Sequence, residues 1–491
     1  MRSSLPETIG ETAALLRRRE TSAVELAETS LALAGADEHN AWLRLCADRA
    51  RRQAAEADAR LARGDPSPLC GVPWGCKDII GTAGVETTAG SRILEGYVPP
   101  YSATVVRRLD GAGAVMIGKT NLDEFAMGSS SENSAFGPVR NPWCRDRVPG
   151  GSSGGSAVAV ATGGVVFALG TDTGGSIRQP AALSGAVGMK PTYGRVSRYG
   201  VVAFASSLDQ VGPFARDVAG AATVCEALFG LDPSDATTMP RPAEDLGRVL
   251  GAGVRGMRLG VPREFFVEGM EPGVERAVRQ ALRELEGLGA EVVEVSLPST
   301  DHGLAVYYII QPAEASANLA RYDGVRYGLR VEGPDLIETY RRTRGQGFGP
   351  EVKRRMILGT YALSSGYYDA YYVKAQKVRT LIKAEFDRVF ERVDALVTPT
   401  SPGVAFPIGA KVDDPLAMYL SDAYTLPVNI AGLPGISVPC GLSEGLPVGL
   451  QVVANSFQEA TMFRVAAAYE RATGHASLRP PARTAGAVGA P

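Results

Sequence analysis

Hydrophobic and polar positions alternate along this chain in two textures. From residue 7 to 62, apolar positions recur at helical spacing among charged ones, and Ser22-Ala-Val-Glu25 has the form of a reciprocal helix cap. From about residue 71 the pattern becomes short apolar runs broken by glycine, which predicts helices alternating with strands. It places helices at 104–109, 122–127 and 153–161, strands at 114–117 and 165–169, and a further helix opening at Ser176. Residues 230–256, rich in Gly, Pro and Asp, read as a surface excursion. Beyond them, strands at 257–261 and 291–295 flank a helix at 272–288. Residues 302–394 are mostly helical and end in a long helix from about Tyr367. Strands follow at 395–397, 436–438 and 448–453, with a closing helix at 459–473. The polar tail from Ser477 to Pro491 reads as disordered. The class is α/β.

Composition narrows the function classes. A chain of 491 residues can bury a large core, and 51 basic against 53 acidic residues leave a net charge of only −2. No like-charge run exceeds Arg17-Arg18-Arg19, so no nucleic-acid face is expected and any nucleic acid should be held by a partner. Six cysteines without Cys-x-x-Cys spacing argue against a zinc or redox site and read as free thiols in a reducing cytosol. The N-terminus lacks signal-peptide regions, and the apolar stretch 157–169 is too short to span a membrane. A cytoplasmic protein with no metal site is expected.

Candidate chemistry lies in two glycine–serine motifs, Pro149-Gly-Gly-Ser-Ser-Gly-Gly-Ser156 and Gly170-Thr-Asp-Thr-Gly-Gly-Ser-Ile-Arg-Gln-Pro180. Glycines around a serine let the backbone approach a bound group and aim several N–H donors at one point, which suits a nucleophile and its oxyanion hole. At a strand-to-helix turn, the N–H groups of Thr173, Gly174, Gly175 and Ser176 would be free for that purpose; a serine that merely caps a helix explains the turn equally well. The histidines, His39, His302 and His475, lie in no marked segment, so a histidine-driven triad is not expected. Lys77 sits inside the apolar run Gly71-Val-Pro-Trp-Gly-Cys-Lys-Asp78, where burial would favour the neutral amine; the alternative is a surface lysine paired with Asp78. Gly113-Ala-Val-Met-Ile-Gly-Lys-Thr120 satisfies the phosphate-loop expression, but Ala-Val-Met-Ile is itself the strand that should precede such a loop, so the match is coincidental.

Lys77 and the two glycine motifs together resemble the amidase signature family. The resemblance implies a mixed central sheet covered by helices on both faces. It implies a single domain over 1–476, with a helical segment 1–65, a catalytic core 66–230 and a C-terminal part 257–476. Ser176 would be the acyl nucleophile, Ser152 a relay serine on a cis peptide, and Lys77 the base. The 24-residue spacing from Ser152 to Ser176 agrees with the family. Further stretches, including Gly118–Gly128, Ser131–Trp143, Tyr193–Gly200, Leu363–Tyr372 and Gly432–Cys440, resemble the family's branch that serves tRNA-dependent amidotransferases. That branch implies a glutaminase whose ammonia converts Glu-tRNA(Gln) to Gln-tRNA(Gln) in a heterotrimer with B and C subunits. The chain itself would need no cofactor, with ATP and magnesium in the B subunit and tRNA contacted mainly there. It also implies Arg355 for the substrate α-carboxylate, Asp422 for its ammonium and Tyr307 as a phenol contact, with Met127 and Gly128 in the pocket wall. Arg354 and Tyr308 are equally placed neighbours. A stand-alone amidase and a catalytically silent scaffold are the alternatives.

Overall fold

The structure, a computed structural model, describes residues 3–242, 244–266 and 269–481. Its strands are β1 (Trp42–Leu45), β2 (Pro73–Lys77), β3 (Val115–Thr120), β4 (Phe167–Asp172), β5 (Val187–Lys190) and β6 (Gln210–Ala215). They continue with β7 (Arg258–Pro262), β8 (Glu291–Val295), β9 (Ala395–Pro399), β10 (Gly435–Ser443) and β11 (Leu446–Val453). All join one mixed sheet in the order β1-β3-β2-β4-β6-β5-β10-β11-β9-β7-β8. Every residue of β2, β3, β4 and β6 is buried. Successive side chains in a strand point to opposite faces, so the centre of the sheet is covered on both. Trp74 and Phe167 stack across β2 and β4 with ring centroids 6.0 Å apart. Burying a phenylalanine fully contributes about 1.5–3 kcal/mol.

The parallel pairing of β2 with β4 positions the chemistry. Cys76 lies opposite Leu169, so the next residues, Lys77 on one strand and Gly170–Asp172 on the other, emerge side by side at the same sheet end. β4 then runs into the second glycine motif, and the helix Arg178–Ser184 follows it.

Most predicted elements appear, with instructive exceptions. The 7–62 region contains β1, which pairs antiparallel with β3 and carries too few residues to show a period. The helix expected at 122–127 is one 3-10 turn, Glu124–Ala126, because Phe125 and Ala126 have φ of 51° and 61°. The helix expected to open at Ser176 starts at Arg178. β5 and β6 had no prediction. The long helix expected from about Tyr367 begins as a π-turn, Asp369–Val373, before Lys374–Phe390. Residues 482–491 of the expected disordered tail lie outside the described residues, while Arg479 pairs with Glu7. Among the described residues no helix is long and apolar enough to cross a membrane.

The phosphate-loop match is indeed a strand. Lys119 lies within β3, fully buried, donating to Ile80 O at 2.5 Å and Thr87 Oγ1 at 3.2 Å. It is also the charge partner of Asp78, 3.5 Å away, so the alternative pairing of Lys77 with Asp78 does not occur.

Candidate active site

Lys77 ends β2 with no exposed surface. Its Nζ lies 2.8 Å from Ser152 Oγ, 2.8 Å from Ser153 Oγ and 2.9 Å from Thr171 Oγ1. Burial pushes its pKa down from 10.5 to about 7, against the partial pull of Asp123, Asp172 and Asp209. The amine is therefore poised to exchange a proton near neutrality.

The first glycine motif enters the site through a cis peptide between Gly151 and Ser152. Ser153 opens the helix Gly154–Ala161, as the sequence predicts. Its hydroxyl donates to Thr171 O at 3.1 Å and accepts from Thr171 N at 3.3 Å, which ties the helix start to the end of β4. The Ser153 N–H in turn donates to Ser176 O at 3.2 Å, joining the two motifs directly.

The second motif is shaped by Asp172. Its Oδ1 accepts from Gly175 N at 2.8 Å and its Oδ2 from Ile177 N at 3.2 Å and Arg178 N at 3.4 Å. These bonds curl residues 173–177 into a turn ahead of the helix, and they alter one expectation. The Gly175 N–H is already engaged, whereas those of Thr173, Gly174 and Ser176 have no hydrogen-bond partner among the described residues. Gly175 has φ +143°, and a Cβ there would collide with Thr425 Oγ1. A Cβ on Gly174 would meet Tyr307 Cε2 at 2.8 Å, so the phenol ring lies against the turn. Ser176 keeps 8% exposure, and no hydrogen bond engages its hydroxyl among the described residues.

Charge surrounds this turn in opposite signs. Asp422 is buried: Ser129 donates its hydroxyl to Oδ2, while Oδ1 has no partner among the described residues. Burial pushes the Asp422 pKa up to about 7, with Ser129 opposing and Asp172 adding to the shift. A Cβ built on Gly175 would lie 3.2 Å from that free Oδ1, which places the carboxylate beside the turn. Arg355 is 2% exposed, donating from Nε to Glu351 Oε1 at 2.7 Å and from Nη1 to Gln311 Oε1 at 3.0 Å. Its guanidinium sits over the Tyr308 and Tyr419 rings at 5.3 and 5.4 Å.

Burial and packing distinguish the neighbouring pairs. Arg354 is 44% exposed and pairs only with Glu351 among the described residues, so Arg355 is the cation available inside. Tyr307 reaches the turn, while Tyr308 stacks on Tyr419 at a centroid distance of 3.8 Å and packs on Arg355. Met127 is fully buried and, with Gly128, leads directly into Ser129 beside Asp422. A Cβ on Gly128 would run into the Asp123 carboxylate.

Sequence reasoning passed over Asp172, Arg178, Asp123 and Thr171. Asp172 and Arg178 flank Ser176 within the quoted motif, and an acid–base pair bracketing a glycine turn was the available signal. Asp123 accepts from Ser131 N at 2.8 Å and Asn133 N at 3.0 Å, and its own N–H donates to Ser152 O at 3.2 Å. Nothing local to its sequence position announces that role.

The family model described as Amidase matches residues 25–463. The chain is 60% identical over 468 residues to the A subunit of the glutamyl-tRNA(Gln) amidotransferase of Roseiflexus sp. (strain RS-1), covering 95% of this chain and 96% of that protein. The crystal structure of the like-named protein from Thermotoga maritima superposes with a TM-score of 0.78 at 45% identity, covering 94% of both chains. The peptide amidase of Stenotrophomonas maltophilia superposes with a TM-score of 0.84 at 34% identity, covering 97% of this chain and 98% of its own.

Proposed function

This chain belongs to the amidase family, and from that footing we propose that it hydrolyses glutamine as the ammonia-generating subunit of a tRNA-dependent amidotransferase. The observation that carries the reading is the 2.8 Å contact between the buried Lys77 Nζ and Ser152 Oγ, behind a serine turn with the Asp422 carboxylate beside it.

Hydrogen-bond arithmetic supports the Lys77–Ser152 leg of the proton route. Neutral Lys77 has two N–H donors and one lone pair. Ser153 gives its own proton to Thr171 O, so toward Lys77 it can only accept. With Thr171 Oγ1 accepting the second N–H, the lone pair is left for the Ser152 proton. Ser152 replaces that proton by taking one from Ser176 as its oxygen attacks the substrate amide carbon. The negative charge that develops on the carbonyl oxygen meets the free N–H groups of Thr173, Gly174 and Ser176. Each well-placed donor of this kind stabilises a transition state by about 3–4 kcal/mol. The proton returns through Ser152 to the leaving nitrogen, ammonia departs, and a γ-glutamyl ester on Ser176 remains. Water then adds to the ester carbonyl, releasing glutamate and restoring the serine.

A glutaminase must hold a zwitterion beside this machinery. Asp422 Oδ1 is an acceptor without a partner among the described residues, suited to the ammonium, and Arg355 suits the carboxylate. Tyr307, which burial keeps a neutral phenol, lies against the turn at Gly174. In this reading ammonia passes to a B subunit that activates Glu-tRNA(Gln) with ATP and magnesium, and a C subunit clamps the pair. The near-equal acidic and basic totals support leaving the tRNA to that partner. Six unpaired cysteines support a cytoplasmic setting.

Mass spectrometry of the purified complex with glutamine tests the assignment. A covalent glutamyl adduct is expected on the Ser176 peptide. Adduct and ammonia release persisting in Ser176→Ala would overturn it. Full amide hydrolysis by the isolated chain, indifferent to Arg355 and Asp422, would point instead to a stand-alone amidase.

A further inference from the structure

Gln311 lies on the helix Gly303–Asn318, one turn beyond Tyr307, with no exposed surface. Its Oε1 accepts from Arg355 Nη1 at 3.0 Å. A guanidinium offers five N–H donors and no acceptor, so the amide can meet it only with its oxygen. The nitrogen is therefore the end left over, and this Nε2 is buried without a hydrogen-bond partner among the described residues. Buried donors are seldom left in that state unless something absent completes them. Arg355 is incomplete in the same way. Its Nε is engaged by Glu351 and its Nη1 by Gln311, while Nη2 has no hydrogen bond among the described residues.

We propose that Gln311 is a substrate-binding and specificity residue, its Nε2 donating to the α-carboxylate of the bound amino acid alongside Arg355 Nη2. The same side chain holds the guanidinium through Oε1. A carboxylate accepts only, an ammonium donates only, and the unpartnered atoms sort accordingly. Gln311 Nε2 is a free donor next to Arg355, and Asp422 Oδ1 is a free acceptor beside the serine turn. An amide substrate without the α-carboxylate leaves the Gln311 donor buried and unpaired, which is how a polar site rejects an analogue that lacks the matching group. The inference rests on the glutaminase reading and extends it to the mechanism by which α-amino acids are selected over simple amides.

Ammonia release by the purified amidotransferase complex is measured with two substrates, glutamine and 4-aminobutanamide. The second keeps the ammonium and the side-chain amide and lacks the carboxylate. Gln311→Met is expected to raise KM for glutamine about 10- to 100-fold with kcat within about twofold, and to change kcat/KM for 4-aminobutanamide by less than about twofold. Gln311→Glu keeps an acceptor for Arg355 Nη1 but turns a carboxylate toward the substrate's own, so it should weaken glutamine binding at least as much. Wild-type KM in Gln311→Glu would mean that Gln311 only holds Arg355, and equal losses on both substrates in either variant would mean that it only supports the fold; each result overturns the inference. Melting temperatures of both complexes check that they fold. A wild-type complex that releases no ammonia from glutamine defeats the glutaminase reading and this inference with it, whereas wild-type hydrolysis with unaffected variants defeats the inference alone.

Discussion

Arg178 and Asp172 close a two-pronged ion pair beneath the serine turn, Nε to Oδ2 and Nη2 to Oδ1 at 3.1 Å each, with neither side chain exposed. Asn429 joins them by donating to Asp172 Oδ1 at 2.9 Å, and Gln451 accepts from Arg178 Nη1 at 2.6 Å. Burial alone would raise the Asp172 pKa, but the Arg178 charge and hydrogen bonds override it and hold the group at about 2. The stability this contributes is present above the ordinary carboxylate range and is lost as pH falls through about 2.

Removing one member of that pair strands the other. Arg178→Met should destabilise the protein by about 3–5 kcal/mol, measured by urea unfolding. The double variant Arg178→Met with Asp172→Asn should recover part of the loss, because no unpaired charge then stays buried. A single variant that unfolds with wild-type stability would contradict the assignment of the pair.

Lys77 and Asp422 both titrate near neutrality, each shifted there chiefly by burial. Both must be deprotonated for the proposed chemistry, the amine to take a proton and the carboxylate to hold the ammonium. The kcat/KM for glutamine should therefore fall below about pH 7 with a slope approaching two. Asp422→Asn should reduce that slope toward one and raise KM. Lys77→Arg should lower kcat by about 100- to 10,000-fold at every pH, since a guanidinium stays protonated. A slope of one in the wild type would remove one of the two groups from the account.

Gly175 is a position where a side chain has neither space nor an easy backbone conformation. Gly175→Ala should cost about 1–3 kcal/mol of stability from the φ of +143°. Displacement of the neighbouring N–H groups should lower kcat at least about tenfold. Stopped assays with thermal melts separate the two effects.

The two arginines side by side should differ in binding. Arg355→Ala is expected to raise KM for glutamine by more than about tenfold, while Arg354→Ala, truncating a half-exposed side chain, should stay within about twofold. Reversed outcomes would place the carboxylate at Arg354.

The sequence could be read furthest where short-range pattern and local chemistry coincide. The Ser22 cap, the helix Pro272–Gly287 and the strand Glu291–Val295 declared themselves through capping residues, a proline at the helix start and strand composition. β1, β5 and β6 did not, and their existence depends on the partners that flank them in the sheet. The turn at 124–126 reads as a helix in sequence because no local pattern foretells a left-handed Phe125.

By itself the sequence singled out the candidate residues: two serines in glycine settings, and a lysine whose apolar neighbours foretold burial. Tertiary structure decided what each group touches. The parallel registry of β2 and β4 brings Lys77 beside Thr171, the fold adds Ser152 and Ser153 from the helix start, and it commits the Gly175 N–H to Asp172 while sparing its neighbours. Which of Arg354 and Arg355 is buried likewise depends on which face of one helix turns inward. Residue type sets what a group can donate, accept or titrate, whereas burial and the geometry of distant partners set whether it does.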